Sequence, residues 1–407
     1  DPDHVATQGY ACVKGLNQHR MYDSPDRLKR VLHRVDGRLE PTSWSEALSA
    51  IGQRVQRLQA AHGKNTVAMY VGTAAGFGVL HPIFAQGFMD GIGSRSMYSS
   101  ASQDCSNKFA VAQHMYGFAF TQPFPDLTHA RCLIVVGANP AISKWSFGQV
   151  PNPAARLKAL TARGGKLYFV DPRRTESAKV AGEHIPIRPG TDVFFYLSFL
   201  HEIFARRAYD RHLVDRYMKG LDVLEAVARP WSPHRTEAVT RIPVATLKGL
   251  VDEYLRAPGA ALYCSTGVNM GGWGALAFWI QEAINAITGN LDRRGGTVVG
   301  QGVIDFAKFG KRNGLLARPD RSRVGDFPSV NDAFPGGTLA DEILTEGPGQ
   351  VKALFVTGGN PLLTMPNSNR LRKALAKLEL LVVLDILPTE TASMAHYVLP
   401  CTSPLQR

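Results

Sequence analysis

The sequence predicts an α/β protein built on doubly wound parallel sheets. Short apolar runs recur along the chain, and most end in a Gly-, Asn- or Asp-rich turn. Stretches with helical spacing alternate with those runs, the signature of strand–helix–strand units. Two of the turns, VVGANP and VTGGNP, are near copies of each other. A chain of 407 residues, 44% hydrophobic and 20% charged, has material for two or three domains with their own cores.

In chain order, the strand-like runs are Thr66–Gly72, Cys132–Pro140, Lys166–Arg174, Ala261–Gly267, Val351–Pro361 and Leu378–Asp385. They are short and rich in Val, Leu and aromatic residues, as strands buried on both faces are. The helical stretches are Trp44–Ala60, Pro153–Arg163, Asp192–Arg206 and Ala275–Thr288. The first follows a Thr-Ser start, and the third opens on an aspartate suited to a first turn. Gly-Gly closes the second and Gly289-Asn290 the fourth. The Gly/Pro-rich stretch 295–349 reads as loops and short elements.

Ligands of open α/β sheets bind beyond the carboxyl ends of the strands. At VVGANP, Gly137 permits close backbone approach and Asn139 offers an amide. At VDPRRTESAK, Asp171 can accept from a hydroxyl or a base edge, while Arg173, Arg174 and the Thr175 hydroxyl can meet phosphate. VTGGNP repeats the first corner with Gly358 and Asn360, and LDILPTETASMA repeats the second with Asp385, Thr389, Glu390 and Thr391. IRPGTD adds Arg188, Gly190 and Asp192, and ITGNLDRRGG adds Asn290. No copy has the spacing of GxGxxG or of a Walker A loop, so a generic NAD or ATP site lacks its motif. The matched sets predict two similar nucleotide-bearing ligands on two pseudo-equivalent halves.

The formal net charge is +12, but basic residues are not gathered into a tail or interleaved with aromatics. This argues against nucleic acid and suits a buried anionic cofactor. The five cysteines are scattered and form no secreted disulfide pattern. No run of eighteen apolar residues marks a membrane span, and no signal peptide is visible. The compartment stays open, leaning to the cytoplasm over the periplasm. Cys12 in GYACVKG is either an ordinary small hydrophobe or the last thiolate of an iron–sulfur set.

Taken in order, GYACVKG, VVGANP, VDPRRTESAKVA, IRPGTD, ITGNLDRRGG, VTGGNP and PTETASMAHYVLP resemble the cofactor segments of the molybdenum/tungsten bis(molybdopterin guanine dinucleotide) oxidoreductases, the dimethyl sulfoxide reductase superfamily. The resemblance runs along nearly the whole chain. It implies a remnant of an N-terminal iron–sulfur domain over residues 1–46. It also implies a discontinuous α/β cofactor-binding domain over 47–101 and 265–407, and an inserted one over 102–264. Three upstream cluster cysteines and a C-terminal domain are expected outside these residues. By the same resemblance, Gly137, Asn139, Asp171, Arg173 and Arg188 serve one guanine dinucleotide, and Gly358, Asn360, Asp385 and Thr391 the other. Cys12 binds a 4Fe-4S cluster, and Lys14 lies between cluster and pterin.

Asp104 and Cys105 stand side by side in the stretch where the family's protein ligand to the metal falls. A carboxylate offers a hard oxygen and a thiolate a soft sulfur; the family register favours Asp104 and chemical habit Cys105. Ser106 follows Cys105, so the Cys-His pairing that resembles formate dehydrogenases is missing. STGVNMGGWG carries Asn269, Met270 and Trp273 but no arginine of their catalytic corner. The implied activity is oxidation or reduction of a small molecule, leaning to oxyanion or oxide reduction, with electrons passed to a partner protein or subunit. A formate dehydrogenase-like enzyme and a noncatalytic iron–sulfur scaffold subunit are the alternatives.

Overall fold

The computed structural model describes residues 1–78, 80–145, 150–300, 302–316 and 318–406. Among the described residues, fourteen strands are distributed over three sheets. In chain order they are β1 (Val31–Val35), β2 (Arg38–Thr42), β3 (Val67–Val71), β4 (Ser96–Ser99), β5 (Pro123–Pro125), β6 (Cys132–Val136) and β7 (Lys166–Val170). They continue with β8 (Glu183–Ile185), β9 (Ala260–Cys264), β10 (Thr297–Val299), β11 (Phe334–Pro335), β12 (Ala353–Thr357), β13 (Leu380–Asp385) and β14 (Tyr397–Pro400). All six predicted strand-like runs are strands, and all four predicted helical stretches are helices.

The chain forms two compact units: Ala11–Ser106 with Gly310–Arg407, and Asp1–Tyr10 with Asn107–Phe309. The first is built on an eight-stranded sheet, β11-β4-β3-β12-β13-β14-β1-β2. From β11 to β14 every neighbour is parallel; β14–β1 and β1–β2 are antiparallel. Alternate residues of β12 face opposite cores. Leu354 and Val356 pack with Leu371 and Leu375 of the Ser368–Leu375 helix, while Ala353 and Phe355 pack with Ile51 and Val55 of the Trp44–His62 helix. Burial on both faces explains the unbroken apolar run. Ser43 starts the Trp44–His62 helix with a capping box, accepting from Glu46 N at 3.2 Å while its own N–H donates to Glu46 Oε2 at 3.1 Å.

The second unit has the parallel sheet β8-β7-β6-β9 and the antiparallel pair β5–β10. On one face of β6, Ile134 and Val136 pack with Phe195, Phe199, Ile280 and Ile284 of the Asp192–Ala205 and Gly274–Ile287 helices. On the other face, Leu133 and Val135 pack with Leu157 and Leu160. Both sheets therefore carry helices on both faces.

Two boundaries differ from those expected from sequence. Residues 265–309 pack with 107–264, because the Gly274–Ile287 helix shares its core with β6 and β9. Within 1–46, strands β1 and β2 extend the eight-stranded sheet, since β1 pairs with β14 through Leu32–Val398 and His33–Tyr397. Among the described residues, no helix is long and apolar enough to cross a membrane.

Candidate functional site: two matched corners

Each unit presents the same constellation at the carboxyl edge of its sheet. In the 107–309 unit, β6 ends at Gly137, whose φ is +56°. A Cβ there would lie 2.8 Å from Val268 N, so only glycine fits. Gly267, after β9, donates its N–H to Gly137 O at 2.9 Å, and its own Cβ would meet that oxygen at 2.6 Å. Asn139 then precedes Pro140–Ser143. Its amide donates to Glu176 Oε2 at 2.5 Å, and its Oδ1 accepts from Ser177 Oγ at 2.7 Å and Ser177 N at 3.2 Å. Ser177 Oγ accepts in turn from Ala141 N at 2.9 Å.

In the other unit, β12 ends at Gly358 with φ +62°, and a Cβ there would lie 2.5 Å from Ala75 N. Gly72, after β3, takes the place of Gly267: its Cβ would meet Gly358 O at 2.3 Å. Asn360 precedes Pro361–Thr364 with φ and ψ of −120° and 74°, against −124° and 73° at Asn139. Its amide donates to Glu390 Oε2 at 2.5 Å, and Oδ1 accepts from Thr391 Oγ1 at 2.7 Å and Thr391 N at 3.2 Å. Thr391 Oγ1 accepts from Leu362 N at 3.1 Å. The order β14-β13-β12-β3 repeats β8-β7-β6-β9.

This correspondence pairs Thr175-Glu176-Ser177 with Thr389-Glu390-Thr391. Thr175 and Thr389 play one role, accepting from Ala178 N and Ala392 N at 3.3 Å each. Ser177, not Thr175, is the counterpart of Thr391. Glu176, Ser177, Gly72 and Gly267 were not singled out from sequence; the repeated Thr-Glu-Ser/Thr triplet was the available signal.

Charge is arranged around these frames. Arg173 pairs with Glu176 at 3.0 Å, and this bond, with that from Asn139, holds the Glu176 carboxyl down at about 2. The Asn360 bond likewise lowers Glu390. Asp171 accepts from Arg173 N at 3.1 Å, and Asp385 accepts from Ile386 N at 2.6 Å and Thr389 Oγ1 at 3.3 Å. Burial raises Asp385 above its ordinary value despite those bonds. Asp192, the first residue of its helix, is pushed up to about 6 by burial, reinforced by the negative charge of Asp171. Arg188 is exposed, with its N–H on Thr240 O, and Gly190 sits at φ +75° with no atom near a Cβ position.

Gly358, Asn360, Asp385 and Thr389 line one cavity of about 2160 Å³ within their unit, together with His81, whose Nε2 lies 2.7 Å from Thr357 Oγ1. Asn290 is placed differently. It is buried, its Oδ1 accepts from Ala260 N at 3.1 Å, and its amide meets Tyr254 and Thr288, so it ties β9 to the end of the Gly274–Ile287 helix. Asp104 is exposed and Cys105 half-buried, both with their N–H on Ala101 O just before the Ser106–Tyr116 helix. Cys12 is half-buried at the start of Val13–Leu16, with Lys14 exposed on that turn. No group of three or more His, Cys, Asp or Glu side chains that could hold a metal ion gathers among the described residues.

The sequence profile described as "Molybdopterin oxidoreductase" matches residues 27–405. The chain belongs to the molybdopterin oxidoreductase family. Among its relatives, the assimilatory nitrate reductase catalytic subunit of Bacillus subtilis (strain 168) is 25% identical, over 99% of this chain and 58% of the relative. Formate dehydrogenase H of Escherichia coli (strain K12) is 24% identical over 97% of this chain and 57% of its own length. Acetylene hydratase from Pelobacter acetylenicus shares the fold, with a TM-score of 0.79 at 22% identity, over 96% of this chain and 57% of that one. The chain thus spans less than two thirds of the length of these relatives.

Proposed function

We propose that this molybdopterin-family chain is the central part of an oxidoreductase that binds two pterin guanine dinucleotides and one molybdenum or tungsten. The observation that carries the reading is the duplicated Gly–Asn–Glu–Ser/Thr frame, one per unit, at the strand edge where α/β sheets take ligands. The residues fit such a group. Glycine-only close approaches leave backbone at the surface of each corner, Asn139 and Asn360 are rigidly framed, and Asp171 and Asp385 stand beyond them as acceptors for a base or ribose.

When bound, the cofactor would supply the redox chemistry. The chain's part is to hold and orient it. Arg173 and Arg188 would meet phosphate, Asp171, Asp192 and Asp385 would take donors, and Asp104 or Cys105 would give the metal its protein ligand. Lys14 would place positive charge beside the pterin. A 4Fe-4S cluster needs four thiolates; Cys12 would be one, and the described residues do not assemble the set. The substrate is a small molecule, with oxyanion or oxide reduction ahead of formate oxidation because Ser106 stands where a histidine would follow Cys105.

The test is cofactor extraction from the complete protein, purified under conditions that permit insertion. The expected result is guanine-bearing pterin with close to one Mo or W. Metal without guanine pterin, or neither in an active preparation, rejects the reading. A folded preparation that yields no guanine pterin and turns over none of formate, nitrate or S- and N-oxides would point to a scaffold subunit.

A further inference from the structure

Lys108 is the only buried lysine or arginine among the described residues, 7% exposed. It lies in the first turn of the Ser106–Tyr116 helix, and its Nζ donates to Cys264 O at 2.7 Å. The ring centroids of Tyr263 and Phe278 are 5.2 and 4.9 Å from the same nitrogen. No carboxylate is within ion-pair distance of it among the described residues. The nearby buried acid, Glu282, is engaged by Tyr116 Oη at 2.8 Å and Gln281 Nε2 at 2.9 Å. Burial raises Glu282, which disfavours its charged form, while Lys108 pulls the other way.

One carbonyl and two ring faces do not balance a buried ammonium. Ring faces contribute about 0.5–2 kcal/mol, whereas the effective penalty for burying an ion is several kcal/mol. Buried charge in a stable fold is ordinarily paired, and no described carboxylate pairs with this one. Its position follows from the register. Cys264 pairs with Val136, the residue before Gly137, and Gly267 is bonded to Gly137 itself. The ammonium therefore stands at the carboxyl edge of β9, beside the Gly137 corner. Asn107 holds the same helix turn in place by donating to Asn269 O at 2.9 Å.

We propose that Lys108 is a cofactor-binding residue, supplying the positive charge for a phosphate- or thiolate-bearing anion seated at the Gly137–Gly267 corner. This rests on the reading of that corner as a cofactor site. The competing role is internal: Lys108 merely balances Glu282. The double variant Lys108→Met/Glu282→Gln separates the two, because it removes both buried charges while keeping side-chain volume. Guanine pterin per polypeptide is measured after denaturing extraction, alongside thermal unfolding of the same preparations. The expected result is a fold as stable as wild type with pterin retention reduced about tenfold or more, the scale of a lost charge-assisted bond. Retention equal to wild type would overturn the assignment. Should the double variant fail to fold, Glu282→Gln alone decides. With an anion as partner, the loaded protein keeps its wild-type melting temperature; with Glu282 as partner, it loses stability even when loaded, and the proposal falls. Absence of guanine pterin from the wild type is a different outcome, which removes the cofactor reading itself.

Discussion

The proposed protein ligand to a metal turns on two adjacent side chains of opposite chemical character. Asp104 is exposed and Cys105 half-buried, and both backbone N–H groups are fixed on Ala101 O, so neither is placed by packing alone. Asp104→Ala is expected to abolish turnover while guanine pterin stays bound, and Cys105→Ala to alter the rate with the metal retained. X-ray absorption of the oxidised loaded protein reads the coordination directly. An additional sulfur beyond the dithiolene set would assign Cys105 and reverse the two outcomes. Asp192 offers a test of charge in the corner of the 107–309 unit. Its pKa of about 6 in the fold exceeds the ordinary value, so between about pH 4 and 6 the folded chain binds more protons than the unfolded one. Stability from this group is present at low pH, falls as pH rises through that window and stays lower above it. Asp192→Asn should therefore stabilise the cofactor-free protein by roughly 1–3 kcal/mol at pH 7 and flatten that part of its pH–stability curve. In loaded protein the same change should weaken pterin retention, because a charged acceptor oxygen is replaced by an amide donor. A stabilised variant with unchanged retention would make Asp192 a purely structural residue.

At the scale of elements, legibility followed burial. β12 and β13 read as strands because almost every residue is apolar, which their two-sided burial requires. The helices were bounded by local signals such as Ser43 at one start and Gly289-Asn290 at one end. The β1–β2 hairpin was not read, although Asp36-Gly37 at φ +46° and +82° is a strong turn signal. RLEPT has one apolar side chain and its Pro41 suits only an edge strand, so its register comes from backbone pairing with β1. The corners were legible as glycine and asparagine, whose conformational and capping roles are local. Their frames were not, because Glu176 and Ser177 gain meaning only when β7 lies beside β6. The internal frame of Asn290 was hidden for the same reason: a turn asparagine after an apolar helix gives no sign that Tyr254, Thr288 and Ala260 converge on it. Lys108 was unreadable as special, since nothing in SNKFAVAQ distinguishes a buried lysine from a solvated one.

For the molecule as a whole, the repeated corners make a quantitative prediction that single-site arguments do not. If each unit holds its own dinucleotide, the loaded protein should carry roughly two guanine pterins per polypeptide, one for each unit. Lesions should then subtract separately. Gly137→Ala forces a left-handed backbone onto a Cβ 2.8 Å from Val268 N, and Gly358→Ala does the same 2.5 Å from Ala75 N. Left-handed backbone costs about 1–2 kcal/mol and the overpacking about 1–3 kcal/mol, enough to shift a corner without unfolding a domain of ordinary stability. Each variant should lose about half of the guanine pterin, and the pair nearly all of it. A variant that loses everything would mean that the two ligands bind only together. Variants that keep the wild-type content, despite a lowered melting temperature proving that the corner moved, would show that the glycine frames build the fold and not the cofactor site.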